Sequence, residues 1–169
     1  MKRSTDMPRV KSVKALSRPW TLAVSWQDGS RSQVDLTGLI HTARHFRAFL
    51  EEPQAFKKVR TVAHGSGIAW QNGLDYAAAT LRTLAREQAP MTGADLAKFE
   101  RSHGLNTAET AALLGMAERT VRSCRHVQIL PQSLAIALRA LGDDAAVLAA
   151  HYKPITVRPR GRPKKHETV

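Results

Sequence analysis

The sequence predicts a small α+β domain, with one antiparallel sheet and two helices, followed by an all-α bundle and a basic tail that does not fold. Three observations predict it. Up to about residue 35 apolar side chains partly alternate, as on half-buried strands, and from Thr37 the period becomes helical. Beyond Met91 nothing reads as a strand, and short helical runs stop at glycines. After Tyr152 apolar residues are sparse and Pro154, Pro159 and Pro163 recur, a composition that cannot bury enough surface to order a chain. The predicted divisions are 1–88, 89–151 and 152–169.

In chain order, "VKSVKAL" and "TLAVSWQDGSRSQVDL" supply strands, with Asp28-Gly29 as a hairpin turn. Leu39, Ile40, Ala43, Phe46 and Leu50 share helical spacing, which predicts one helix over Thr37–Leu50 that Pro53 prevents from continuing. "VRTVAHG" and "GIAW" read as two further strands, Asn72-Gly73 as a turn, and "DYAAATLRTLAREQ" as a helix. Trp26, Trp70, Phe46, Phe49 and Phe56 are candidate core or rim residues. "EQAPM" marks the boundary, and "GADLAKFERSHG", "TAETAALLG", "ERTVRSCRHVQ" and "QSLAIALRALG" give four or five short helices.

The net charge of +12 is unevenly spread. Residues 1–90 carry 14 Lys/Arg against 7 Asp/Glu, residues 91–151 carry 6 against 6, and residues 152–169 carry 6 against 1. A basic chain attracts polyanions, chiefly nucleic acid or an anionic membrane. No stretch reaches the roughly 18 apolar residues of a membrane span, and the first residues lack a secretory apolar core. The single cysteine, Cys124, allows neither an intrachain disulfide nor a cysteine zinc site. The expected setting is cytoplasmic and nucleoid-associated.

The informative stretch is "GLNTAETAALLGMAERTVRSCRHV", Gly104–Val127. Asn106 followed three residues later by Glu109 makes a capping-box pattern. Gly115 suits the left-handed residue that ends a helix, and a second helix starts near Glu118. On that helix Arg119, Arg122, Ser123 and His126 fall on one face, with Val121 and Cys124 roughly opposite and Thr120 and Val127 toward the apolar side. An arginine face backed by a small apolar seam suits a groove-reading helix, because arginine can reach guanine O6 and N7 or a phosphate.

This segment resembles the lambda-repressor-like (Xre/Cro) helix-turn-helix family over about Met91–Leu141. The carrying residues are "GLNTAETAALLGMAERTV" and the closing "ILPQSLAIALRAL". The resemblance implies a five-helix bundle with residues 118–126 in the major groove of double-stranded DNA. Glu118, Arg119, Thr120, Arg122, Ser123 and His126 would face bases, and Thr107 and Arg125 the DNA backbone. Thr110 departs from the family's usual apolar residue, Ala117 from its capping serine, and Cys124 from a larger apolar side chain. Regulators of this type usually pair, so a homodimer is expected.

The tail "PRGRPKK" resembles an AT-hook. Arg160 and Arg162 suit the negative potential of a narrow A·T minor groove. Gly161 lets the backbone approach the groove floor, and Pro163 holds the strand extended. Arg158, Lys164 and Lys165 suit phosphates.

The front segment, about Pro8–Leu84, resembles domain-of-unknown-function family 2442 in "LAVSWQDGSRSQVDL", "FLEEPQAFKKV" and "IAWQNGLDYAAATL". That resemblance implies a fold found beside helix-turn-helix modules in bacteria, and no activity. His41 and His45 are spaced i, i+4 as metal ligands can be, with His64 as a distant third, but a solvated pair is the expected reading. Cys124 reads as a small core residue rather than a redox switch. No catalytic constellation, cofactor motif or metal set appears, so no enzyme is expected. The expectation is a sequence-specific transcriptional regulator. The alternatives are an antitoxin-like adaptor whose front domain takes a protein partner, and a nucleoid-type architectural DNA binder.

Overall fold

The computed structural model describes residues 7–155. They divide into two compact units, with the boundary between Ala89 and Pro90.

In the first unit β1 (Val10–Ala15), β2 (Thr21–Trp26) and β3 (Arg31–Asp35) form an antiparallel meander. Val13 pairs with Val24, and Leu22 with Val34. Alternation along β2 sends Leu22, Val24 and Trp26 into the core. The β2–β3 turn is the expected one. Gly29 has a φ of 84°, and the Ser30 N–H donates to the Asp28 carboxylate at 2.9 Å.

The expected single helix over 37–50 is broken. It consists of α1 (Thr37–Thr42), a 3-10 turn (Arg44–Arg47) and α2 (Ala48–Glu51), with Ala43 extended between the first two. Pro53 then opens a further turn, α3 (Pro53–Phe56), from its first position. Packing explains the break. In one continuous helix Ile40 and Phe49, nine residues apart, would point about 180° from each other. Both are fully buried, so the chain must reorient at Ala43. The reorientation leaves Leu50 41% exposed. Phe49 and Phe56 pack on Trp70 with ring centroids 5.1 and 5.8 Å apart, and the Trp70 indole N–H donates to the Phe56 carbonyl at 2.9 Å.

The expected single sheet is two sheets. The second contains β4 (Arg60–Thr61), β5 (Gly67–Ala69) and β6 (Asp75–Ala77), all antiparallel. β6 lies inside the segment expected to be helical, and α4 (Ala78–Gln88) begins after it. Pairing of Ile68 with Tyr76 and Ala69 with Asp75 overrides the helix propensity of the alanines there. Gly67 allows that close approach, since a Cβ on it would stand 2.6 Å from the Tyr76 carbonyl oxygen. α4 buries Ala78, Leu81 and Ala85. Its Arg82 guanidinium lies 4.6 Å from the Trp26 ring centroid and donates to Ser30 Oγ and Asp28 Oδ2 at 2.8 and 3.0 Å, pinning helix to hairpin.

The second unit contains α5 (Gly93–His103), α6 (Thr107–Leu113), α7 (Glu118–Cys124), α8 (Gln132–Asp143) and α9 (Ala145–His151). Its core is Leu96, Phe99, Ala111, Val121, Cys124, Leu130, Leu134, Leu138 and Leu141. Among the described residues no helix is long and apolar enough to cross a membrane.

Candidate nucleic-acid interface

α6 and α7 are set by local chemistry. Asn106 Oδ1 accepts the Glu109 N–H, and Glu109 Oε2 accepts the Asn106 N–H, both at 2.9 Å. Two of the otherwise orphaned amides at the start of α6 are thereby satisfied. Gly115, with φ 62°, turns the chain between the helices. Thr110, polar where apolar contact was expected, is fully buried because its hydroxyl donates to the Asn106 carbonyl at 2.9 Å. Ala117 precedes α7 with no side-chain cap.

α7 buries Val121 and Cys124 and exposes Glu118, Arg119, Thr120, Arg122 and Ser123, with His126 exposed just beyond its end. Arg122 forms an i, i+4 ion pair with Glu118, and Ser123 Oγ turns back to the Arg119 carbonyl at 3.1 Å. The exposed surface therefore presents one arginine paired within its own helix and a second, Arg119, one turn before it. Val127, expected on the apolar side, is 38% exposed because the helix ends before it.

Arg125, expected at a phosphate, is bonded within the second unit. Its Nε and Nη2 donate to the two oxygens of Glu100, each at 2.8 Å, and Nη2 also donates to Thr107 Oγ1 at 2.8 Å. The Glu100 side chain is 7% exposed and that of Arg125 29%. The bidentate bond to Glu100 holds the Arg125 guanidinium above its ordinary pKa, against the opposing effect of burial. This clamp joins the end of α7 to the middle of α5 and the first residue of α6. Thr107 and Arg125, both expected at the DNA backbone, are thus brought together by one hydrogen bond.

Two further positioning features carry no signal in the sequence. Gly93 lies against the end of α7, where a Cβ would stand 2.3 Å from the Arg125 carbonyl oxygen, and its N–H donates to the Val127 carbonyl at 3.0 Å. Tyr152 donates its hydroxyl to Glu109 Oε1 at 2.8 Å, beside the α6 cap. The Asn106 N–H, the Tyr152 hydroxyl and the Ile155 N–H hold the Glu109 carboxyl below the usual glutamate range. The same bond to Glu109 pushes the Tyr152 phenol up.

Arg158, Arg160, Gly161, Arg162, Pro163, Lys164 and Lys165 lie outside the described residues. Among the described residues no group of His, Cys, Asp and Glu is arranged to hold a metal ion. Cys124 is buried in the core.

No family model and no curated protein matches the chain. A solved structure of a candidate DNA-binding protein from Nitrosomonas europaea ATCC 19718 is similar to it at 23% identity and a TM-score of 0.44, over 93% of this chain and 96% of that one.

Proposed function

We propose that the chain is a sequence-specific DNA-binding transcriptional regulator. α6 and α7 form its helix-turn-helix, and α7 enters the major groove. The observation that carries this reading is the division of α7. Val121 and Cys124 anchor it in the core, while Arg119, Thr120, Arg122, Ser123 and His126 form an exposed polar face beyond them. Arginine at such a face reads guanine O6 and N7 bidentately, and Thr and Ser contact either base edges or phosphates. The Glu100–Arg125–Thr107 clamp and Gly93 hold α7 firmly, as base readout requires. The neutral charge of residues 91–151 does not oppose this, because three of their six cations, Arg119, Arg122 and Arg125, lie within seven residues of each other. In this reading the protein binds as a homodimer on two half-sites, and the tail's Arg160 and Arg162 enter an A·T-rich minor groove.

Selection of duplexes from a random pool by the full chain tests the proposal. Enrichment of a two-fold related pair of half-sites about one helical turn apart supports it. A bound pool with no shared sequence overturns it in favour of an architectural binder.

A further inference from the structure

β3 is an outer strand of the first sheet, and two bonds that bracket it set the direction of its backbone groups. The Trp26 N–H donates to the Ser30 carbonyl at 2.9 Å, and the Leu36 N–H to the Trp20 carbonyl at 2.8 Å. Antiparallel partners alternate between bonded and unbonded pairs. Ser32 and Val34 therefore bond to Val24 and Leu22, and Arg31, Gln33 and Asp35 turn their N–H and C=O groups away from the sheet.

At Asp35 the outward groups are taken. Gln88, the last residue of α4, accepts the Asp35 N–H on Oε1 at 2.8 Å and donates from Nε2 to the Asp35 carbonyl at 2.7 Å. A side-chain amide thus stands where the peptide group of a neighbouring strand would stand. Arg31 and Gln33 are exposed, and no described residue bonds their outward groups. Such an unpaired edge is a template for one more strand. It borders a groove of about 640 Å³ between β3 and α4, lined by Arg31, Arg82 and Arg86 and by no carboxylate. Asp28 and Glu87, which pair with Arg82 and Arg86 at 3.0 and 2.9 Å, lie outside that lining.

We propose that the Arg31–Gln33 edge of β3 takes an extended acidic segment of a partner protein as a fourth strand of the first sheet. The backbone of the segment bonds the outward groups of Arg31 and Gln33, and its carboxylates meet the three arginines. The same arginines oppose a second copy of the chain, whose own edge would bring like charges to them. Every residue involved lies in the first unit, so the proposal does not rest on the reading of α7.

The test uses the full chain and a labelled synthetic peptide of about eight residues alternating glutamate and valine, with a lysine-for-glutamate control. Anisotropy follows binding, and amide hydrogen exchange locates it. In the free chain the Arg31 and Gln33 amides should exchange quickly and those of Ser32 and Val34 slowly. The glutamate peptide should slow Arg31 and Gln33, and the lysine peptide should not. A glutamate peptide N-methylated along its backbone keeps its charge and should not bind, which separates strand addition from attraction between charges. Gln33→Pro removes an outward N–H that β2 does not use, so the fold should hold and peptide binding should be lost. The N-methylated peptide makes the same test without altering the protein. Arg31→Glu should weaken binding of the glutamate peptide by about tenfold or more, the effect of one charge-assisted bond. Slow exchange at Arg31 and Gln33 in the free chain overturns the proposal, and where it grows with concentration it gives the edge to a second copy. Equal binding of the N-methylated peptide, or an edge that the glutamate peptide leaves unprotected, overturns it as well.

Discussion

Replacing Arg125 with methionine keeps most of the aliphatic stem and deletes the guanidinium that bridges Glu100 and Thr107. Glu100 is then left with a charge on a side chain only 7% exposed. Removing one partner of a buried ion pair costs about 3–5 kcal/mol, because the remaining charge is not resolvated. Arg125 is 29% exposed, so water enters on its side and the expected loss is smaller, about 2–4 kcal/mol. For a unit of about 80 residues each kcal/mol moves the melting midpoint by about 4–8 °C, so a fall of about 8–32 °C is expected. Adding Glu100→Gln removes the stranded charge, and the pair should recover about 1–2 kcal/mol of coupling. The two units can be followed separately. Trp20, Trp26 and Trp70, the three tryptophans of the chain, all lie in the first unit, so their fluorescence follows that unit. Far-ultraviolet circular dichroism follows the helices, of which the second unit has the longer share. Arg125→Met should lower the dichroism midpoint and leave the tryptophan midpoint in place. An unchanged dichroism midpoint, or no coupling with Glu100→Gln, refutes the clamp.

Gly93→Ala should destabilise the second unit by about 1–3 kcal/mol in the same melting experiment, because the new methyl meets the backbone of Cys124 and Arg125 rather than a movable side chain. Acid should weaken the second unit in a defined window. Hydrogen bonds from Thr92 hold Asp95 below its ordinary 3.8, and those from Asn106 and Tyr152 hold Glu109 below 4.5. A depressed carboxyl contributes stability above its unfolded pKa and loses it as pH falls through the folded one, so the loss begins near pH 4.5 and deepens below 3.8. Asp95→Asn and Glu109→Gln should each flatten the dichroism midpoint against pH over that window. Deleting Arg158–Val169 should reduce the log–log salt dependence of DNA binding by about 0.9 for each phosphate that the tail neutralises, measured by titration at several salt concentrations. An unchanged slope would place those cations away from DNA.

The second unit was largely legible because its signals are local. Asn106 and Glu109 are three residues apart, Gly115 ends its own helix, and Val121 and Cys124 set a face within one turn. What escaped was long-range. Glu100 meets Arg125 across 25 residues and Tyr152 meets Glu109 across 43, and neither spacing carries a periodic signal. The first unit was less legible for the same reason. Its strands are legible where alternation is strong, as in β2, but β6 is a strand only because β5 is beside it. The helix at 37–50 breaks because Ile40 and Phe49 must reach one core from positions that a straight helix sets on opposite sides.

The central claim, that the exposed face of α7 reads bases, is tested most directly by Arg119→Ala on the selected site. The measurement is the affinity of intact and Arg119→Ala chains for that site, for each of its single base-pair variants, and for unrelated duplex at one salt concentration. Expected are a loss of about 1–3 kcal/mol on the selected site, a smaller loss on unrelated duplex, and indifference at one base pair where the intact chain discriminates. An equal loss on every sequence would make Arg119 a phosphate-binding residue, and no loss at all would take α7 out of the groove.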